Sequence, residues 1–214
     1  MWWRKIVRVL IWVALICGVL AGIVLAFFEP WTVPGDDAQF AVSIEPTIGV
    51  GDVLLVTRAS SASDGALVRC TDPDAPGRWV VGRVIGRTGD TVAFSKGSMY
   101  IGGKIPTASL ACDPPVVRLK NPATQEDEDF QCGLEEFAGS THAALRSSSV
   151  SGVMRDSTAQ VEPGKIYLVS DNRILHLDSR DYGAVAPGTC QHIVLRFWGT
   201  TGWGDARKRL TVLW

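Results

Sequence analysis

The stretch SDNRILHLDSR (Ser170–Arg180) is the most informative part of this 214-residue sequence when it is taken with two shorter stretches that precede it. The first, SIEPT (Ser43–Thr47), and the second, GRVIG (Gly82–Gly86), are each followed within a few residues by a Gly-Asp pair. Alone, a Ser-x-x-Pro-Thr or a Gly-Asp pair indicates little more than a turn. The order of the three motifs along one chain is the specific signal.

Twenty uncharged residues, Val9–Phe28, precede these motifs. A helix of that length measures about 30 Å, the thickness of the hydrocarbon layer of a membrane. The run exceeds the apolar region of about 7–15 residues in a cleaved signal peptide, and no small-x-small site follows it. We therefore predict an uncleaved anchor over residues 1–28. Basic residues before the span and acidic residues after it predict a single-pass protein of the cytoplasmic membrane, with its N-terminus in the cytoplasm and its main domain outside.

Beyond the anchor, the sequence predicts a linker over 29–37 and a mainly antiparallel β domain over 38–214. Short runs rich in Val, Ile and aromatic residues alternate with Gly-Asp or Gly-Gly turns, which is typical of strands. The expected strands are Phe40–Ser43, Asp52–Thr57, Trp79–Ile85, Thr91–Phe94, Met99–Ile101, Lys165–Val169 and His192–Trp198.

Residues from about 104 to 160 differ in composition and predict a small inserted sub-domain of irregular structure. The segment is rich in Ser, Thr, Ala and acidic residues, and we interpret its run Glu126–Asp129 as a solvated face. Four cysteines lie outside the anchor and allow three pairings. Cys112 and Cys132 share the insertion, and we expect them to be paired. No pair has Cys-x-x-Cys spacing and the three histidines are scattered, so the sequence predicts neither a structural zinc site nor a cofactor.

The composition excludes two broad classes of protein. Hydrophobic residues make up 46% of the chain and charged residues 20%, which is incompatible with intrinsic disorder. Three of the 21 basic residues but none of the 22 acidic residues lie in the first eight positions, so the rest of the chain is mildly acidic. A nucleic-acid partner is therefore not expected.

Behind an N-terminal anchor, the three motifs in this order resemble those of the type I signal peptidases, which are membrane-bound serine proteases that remove signal peptides on the outer face of the membrane. The resemblance extends from about Val42 to Trp198 and is weakest in the insertion. It implies an antiparallel β catalytic domain of the signal-peptidase type with a small insertion, preceded by one transmembrane helix. It also implies exported precursor proteins and the lipid bilayer as partners, and Trp198 and Trp203 are candidates for contact with the bilayer surface.

The resemblance assigns the nucleophile to Ser43, but the sequence departs from the family pattern at three positions of the catalytic centre. Gly82 stands where the family has its general-base lysine. Ala41 stands where many members have a small hydroxyl residue that donates to the oxyanion. His176 replaces the serine that helps to orient the lysine.

Two interpretations fit these departures. In the first, His176 has taken over as general base, since an imidazole accepts a proton near neutral pH and the absence of a side chain at Gly82 leaves room for it. The enzyme then cleaves signal peptides in general or matures one dedicated precursor, such as a conjugation pilin. In the second, the protein is catalytically inactive and binds exported chains or acts as a subunit of an envelope complex.

Further roles follow from the resemblance. Arg83, Asp178 and Arg180 match positions that form an ion-pair network beneath the site, for which bidentate Arg–carboxylate contacts are suited. The family binds its substrate as an added strand, with small side chains in shallow pockets. By position, a strand containing Gln39 and Ala41 would pair with the substrate, and Val80 and Val81 would line the pockets.

Overall fold

The computed structural model describes residues 2–60, 63–95, 98–147 and 155–213. It consists of one long N-terminal helix followed by three antiparallel sheets, so the predicted fold class, mainly β behind a single apolar helix, is confirmed. The helix, α1 (Trp2–Phe27), contains 26 residues and has no buried side chain. In the described part of the chain it is the one helix that is long and apolar enough to cross a membrane.

The largest sheet has seven strands. They are β1 (Phe28–Thr32), β2 (Val53–Ser60), β3 (Leu67–Thr71), β4 (Trp79–Arg87), β11 (Ile166–Val169), β12 (Cys190–Trp198) and β13 (Thr211–Val212). The spatial order is β1-β2-β12-β3-β4-β11, and β13 pairs with β12. Side chains alternate across the sheet, so that Val81 packs in one hydrophobic cluster and Val80 in another. Because both faces are covered, β4 and β11 are buried along nearly their whole length.

Two three-stranded sheets complete the fold. One has the order β10-β5-β6 and the other the order β7-β8-β9. Their strands are β5 (Thr91–Ser95), β6 (Ser98–Ile101), β7 (Thr107–Lys120), β8 (Asp127–Phe137), β9 (Ser140–Ser147) and β10 (Ser157–Gln160).

The insertion is therefore a β-structure, and the expectation of irregular structure is wrong for its described residues; residues 148–154 lie outside them. The strands escape recognition because β8 is rich in polar residues and most of the described side chains of β7 are exposed. Opposite charges face each other across this pair, with Arg118 opposite Asp129 and Lys120 opposite Asp127. Cross-strand ion pairs of this kind support a sheet without the alternating apolar pattern that predicts one.

Two further expectations near the N-terminus need correction. Residues 28–32 form β1, which pairs with β2, so the first part of the predicted linker belongs to the sheet. The predicted strand Phe40–Ser43 is instead the end of a short helix, α2 (Ala38–Ser43). The cause is Asp37, whose carboxylate accepts the backbone N–H groups of Gln39 and Phe40 at 2.8 and 3.0 Å and so caps the helix.

Two disulfides connect the strands. The Cys112–Cys132 pairing is confirmed and joins β7 to β8. The second disulfide joins Cys70 of β3 to Cys190 of β12, which face each other directly in the large sheet and are fully buried. A second short helix, α3 (Ser179–Tyr182), begins at the end of the third motif and is capped by Asp178.

Candidate active site

Asp171 is the residue that connects the three motifs. One of its carboxylate oxygens accepts Arg83 Nε at 2.9 Å, and the other accepts the hydroxyl of Thr47. The side chains of Asp171 and Arg83 are each 1% exposed. Burial acts to raise the pKa of Asp171, but the Arg83 guanidinium outweighs it and holds this pKa below its ordinary value. Asp171 therefore remains ionised and joins the motifs from beneath.

Asn172 ties the nucleophile candidate to the third motif. Its side-chain amide donates to the Val42 carbonyl at 3.0 Å, and its backbone N–H donates to the Ser43 carbonyl at 3.2 Å. Its side-chain oxygen accepts the backbone N–H groups of residues 174–175, which shapes the loop that leads to His176. The third motif thus holds the end of α2 against the loop at residues 173–177, which contains His176 and is called the histidine loop below.

Ser43 is the last residue of α2 and is 1% exposed. Its hydroxyl donates to the Phe40 carbonyl at 2.8 Å. Gln39 lies four residues before Ser43 and therefore on the same face of the helix. The Gln39 side chain donates to the His176 carbonyl at 2.8 Å, so this face of α2 carries Ser43 and contacts the histidine loop. Within the described residues, no hydrogen bond joins the Ser43 and His176 side chains directly.

The imidazole of His176 is oriented by a carboxylate. Its Nδ1 lies 2.8 Å from Asp181 Oδ2 and 4.0 Å from Asp178 Oδ1. The side chain is 28% exposed. In the part of the chain that the structure describes, Nε2 has no hydrogen-bond partner. The sequence motifs do not predict this role for Asp181. The pattern that could indicate it is the Asp-x-x-Asp spacing of the capping box that α3 forms.

The three supporting residues form two ion pairs. Arg180 binds Asp178 in a bidentate manner, with Nε and Nη2 at 2.9 and 2.7 Å from the two carboxylate oxygens. Burial opposes ionisation of Asp178, but the hydrogen bonds from Arg180 lower its pKa. Arg83 pairs instead with Asp171. The Asp171 pair lies near the start of the third motif and the Asp178 pair near its end. The backbone N–H of Ser170 donates to Asp178 at 2.8 Å and so joins the two ends.

Gly82 lies on β4, where the neighbouring strand β11 approaches closely. A Cβ atom placed on Gly82 would lie 3.1 Å from the Leu168 Cβ and 3.2 Å from the Val169 carbonyl oxygen. The expectation that glycine leaves open space is therefore wrong, because β11 has closed against the strand at the position where the side chain is missing.

The residues expected to bind substrate are placed differently from the prediction. Val80 and Val81 are 0% and 2% exposed and pack in the core. Gln39 and Ala41 lie in α2, where the Ala41 N–H donates to the Asp37 carbonyl at 3.0 Å. A strand edge for pairing with a substrate is consequently absent from these described residues in this conformation.

An open cleft of about 210 Å³ lies beside α2. Its walls include Phe40 of α2 and Leu177, which directly follows His176. The remaining walls are Trp31, Pro34, Asp36, Asp37, Asp72, Gly77, Arg78 and Trp79. Neither Ser43 nor His176 is among these residues, and none of the four predicted substrate residues lines the cleft.

The insertion contributes a second buried charge cluster that the sequence alone does not predict. Arg173 Nη2 lies 2.6 Å from Glu135 Oε2 and 3.3 Å from His142 Nε2, and Arg146 binds the other oxygen of Glu135 at 2.7 Å. Burial opposes ionisation of Glu135, but the two guanidiniums hold its pKa at about 2. Burial, with Arg83 nearby, lowers the pKa of His142 to about 4. These contacts attach β8 and β9 to the third motif.

A different arrangement holds the turn at residues 44–47, which directly follows Ser43 and is called the Ser43 turn below. The buried carboxylate of Asp52 accepts the Gly49 N–H at 3.0 Å and Arg196 Nη1 at 3.2 Å, and the same nitrogen of Arg196 donates to the Thr47 carbonyl at 2.9 Å. Burial, reinforced by Asp52, raises the pKa of the nearby Glu45 to about 7 despite the positive charges of Lys208 and Arg196.

One group of side chains among the described residues has ligand atoms close enough to hold a metal ion. His176, Asp178 and Asp181 bring such atoms within 4.8 Å of one another. Both oxygens of Asp178 already accept hydrogen bonds from Arg180, whose positive charge opposes a cation. The hydrogen bonds of the α3 capping box account for this grouping.

Comparison with known proteins agrees with the arrangement of the motifs. The sequence matches the family described as "Signal peptidase, peptidase S26" over residues 4–194. It is also similar to "Signal peptidase I V" from Bacillus subtilis (strain 168), with 26% identity over 148 residues that cover 67% of this chain and 73% of the relative. Since the family match includes the apolar helix and all three motifs, the chain belongs to the signal peptidase family, peptidase S26.

Proposed function

We propose that this protein is a membrane-anchored serine endopeptidase that cleaves signal peptides, or one dedicated exported precursor, outside the cytoplasmic membrane. In this proposal α1 is a single-pass anchor with its N-terminus in the cytoplasm. The observation that carries the catalytic assignment is the Gln39–His176 hydrogen bond, because it joins the histidine loop to the helix face that bears Ser43.

The proposed chemistry uses Ser43 as nucleophile, His176 as general base and Asp181 to orient the imidazole. Ser43 first exchanges its hydrogen bond with the Phe40 carbonyl for one with Nε2 of His176, which requires the last turn of α2 to open. The imidazole then takes the hydroxyl proton as Oγ attacks the scissile carbonyl, and donates it to the leaving amine as the C–N bond breaks. A water molecule that gives a proton to the same imidazole then hydrolyses the acyl-serine and restores the Ser43 hydroxyl. The Ser43 N–H is the expected oxyanion donor once it has left the helix.

A second candidate function is favoured by a specific observation. Ser43 is almost fully buried and its hydroxyl is engaged by the Phe40 carbonyl, while Gly82 supplies no amine. A catalytically inactive family member of this kind would bind exported chains in the cleft or serve as a subunit of an envelope complex.

Cleavage by the full-length protein in liposomes separates the two functions. We expect wild type to hydrolyse a peptide with Ala-x-Ala before the cut, and Ser43→Ala and His176→Ala each to lower kcat/KM at least about a hundredfold. The double variant should be little worse than either single one, because the pair acts as a unit.

A matched control is Ser140→Ala, because the Ser140 hydroxyl also donates to the carbonyl three residues earlier, at 3.1 Å, but lies in the insertion. It should leave the rate unchanged. Cleavage that survives Ser43→Ala would rule out the proposed enzyme. Absence of Ser43-dependent cleavage with several precursors, together with retained binding by Ser43→Ala, would establish the inactive alternative.

A further inference from the structure

The cleft beside α2 combines aromatic and acidic walls. Trp31 and Trp79 supply two indole rings, whereas Asp36, Asp37 and Asp72 supply three carboxylates. Arg78 is the single cation among the cleft residues that the structure describes. The lining therefore has an excess of negative charge.

Both kinds of wall already bind a guanidinium within this chain. The Arg78 side chain, which is 51% exposed, forms an ion pair with Asp37 at the cleft. The guanidinium carbon of Arg69 lies 4.9 Å from the Trp31 ring and 4.4 Å from the Trp79 ring. Indole rings attract cations through their electron-rich faces. Both rings are thus engaged by Arg69, which does not line the cleft, while their remaining surface faces the cleft.

Two carboxylates remain for an external cation. In the described residues Asp36 is exposed and forms no ion pair. Asp72 accepts only the backbone N–H groups of Asp74 and Ala75 within the β3–β4 turn, at 2.9 and 3.2 Å. Neither negative charge is matched by a positive side chain, in contrast to Asp37, which Arg78 neutralises.

We propose that this cleft is a subsite for one positively charged side chain, lysine or arginine, of the bound peptide. Asp36 and Asp72 attract the charged group, and the indole rings cover its aliphatic stem. The inference rests on the proposed function in one respect: the lining residues Phe40 and Leu177 lie within three residues of Ser43 and His176 along the chain, so the occupant is a peptide that also reaches Ser43. Binding in the cleft itself requires no catalysis.

The test measures binding and cleavage separately, with full-length protein in detergent. Fluorescein-labelled peptides with Ala-x-Ala before the cut carry one lysine, or glutamine as its neutral counterpart, at successive positions from two to eight residues before the cut. We expect one position at which lysine lowers Kd about fivefold relative to glutamine, as a few exposed charge and cation–π contacts allow. The preference should disappear in 1 M salt.

Variants assign the preference to the cleft. Asp36→Asn should reduce the lysine preference, the ratio of the two Kd values, to about twofold or less. Arg78→Gln should increase this preference, because a competing cation is removed from the cleft. Glu126→Gln removes the same charge from the exposed β7–β8 connection and should leave it unchanged. If no position prefers lysine, or if Asp36→Asn leaves the preference intact, the cationic subsite is wrong even where Ser43-dependent cleavage stands. A lysine preference that depends on Asp36 in a protein without cleavage supports the subsite and contradicts the proposed enzyme.

Discussion

Asp171 and Asp178 in the third motif are each matched by an arginine, whereas Glu45, two residues after Ser43, forms no ion pair among the described residues. Arginine neighbours lower the pKa values of the first two carboxyls against the effect of burial. Burial raises the pKa of Glu45 to about 7. Charge is thus compensated around the third motif and poorly compensated at Glu45, although the neighbouring Asp52 pairs with Arg196.

This difference separates the parts of the site that hold geometry from those that carry chemistry. A buried ion pair fixes two elements at a defined separation, and loss of one partner leaves an expensive unpaired charge. By the motif resemblance, Arg83, Asp178 and Arg180 match family positions at which such pairs occur. The same resemblance predicts departures at Gly82, which has no side chain, and at His176, which belongs to neither arginine pair. We propose that catalytic residues can differ between family members while this framework is kept.

The largest expected effect comes from breaking the compensated region. Asp171→Asn should lower the free energy of unfolding by about 3–5 kcal/mol, because the buried Arg83 would lose its carboxylate partner. Urea unfolding of the full-length protein in detergent measures this change. The exposed variant Glu126→Gln should remain within about 0.5 kcal/mol of wild type. A loss below about 1 kcal/mol for Asp171→Asn would show that the pair does not organise the site.

A smaller effect is expected from acidifying the cluster that attaches the insertion. The pKa of His142 is about 4 in the folded protein and near 6.5 when unfolded, so the unfolded chain takes up its proton first and stability falls between these pH values. The contribution of Glu135, with a pKa of about 2, is lost below about pH 4.5. His142→Gln should remove the part between pH 6.5 and 4, which is at most about 3 kcal/mol. An unchanged profile in that variant would contradict the assignment to His142.

Much of the fold was predictable because its signals are local or depend on motif order. The apolar run Val9–Phe28 predicts α1, and the shared insertion predicts the Cys112–Cys132 disulfide. Helix α2 was missed because one side chain, Asp37, decides between helix and strand by capping two backbone N–H groups. The strands of the insertion were missed because cross-strand charges, rather than an apolar alternation, support them.

The candidate site was predictable only in outline. The motifs indicate that Ser43 and His176 approach each other, but the residues that hold them have distant partners. Glu135 binds Arg173 from a position 38 residues earlier, in a segment without a recognisable motif. Asp171 and Asn172 belong to the third motif, but their hydrogen-bond partners lie on β4 and α2 and depend on how these elements pack. Contacts of this kind follow from the assembled sheet and not from spacing along the chain.

The smallest effect is expected from relieving the poorly compensated region, and its sign is opposite. Because the pKa of Glu45 is raised from about 4.5 to about 7 in the folded protein, the unfolded chain loses this proton first as pH rises, and stability decreases across that window. Glu45→Gln resembles the protonated acid. It should therefore equal wild type near pH 4.5 and exceed it by about 1–2 kcal/mol at pH 8, less than the full shift implies because Glu45 is only half-buried.

The matched control is Glu136→Gln, an exposed glutamate on β8, which should show no such pH-dependent gain. Urea unfolding of the full-length protein at both pH values provides the measurement. Lower stability of Glu45→Gln at pH 8 would mean that Glu45 is ionised there and held by Arg196 or Lys208. The Ser43 turn would then be fixed by charge in the same way as the third motif, and the contrast between the two regions would fail. A gain in stability that is confined to high pH would instead show that the Glu45 carboxylate is an uncompensated charge in the folded protein. This charge lies two residues after Ser43, at the end of α2 that must open in the proposed mechanism.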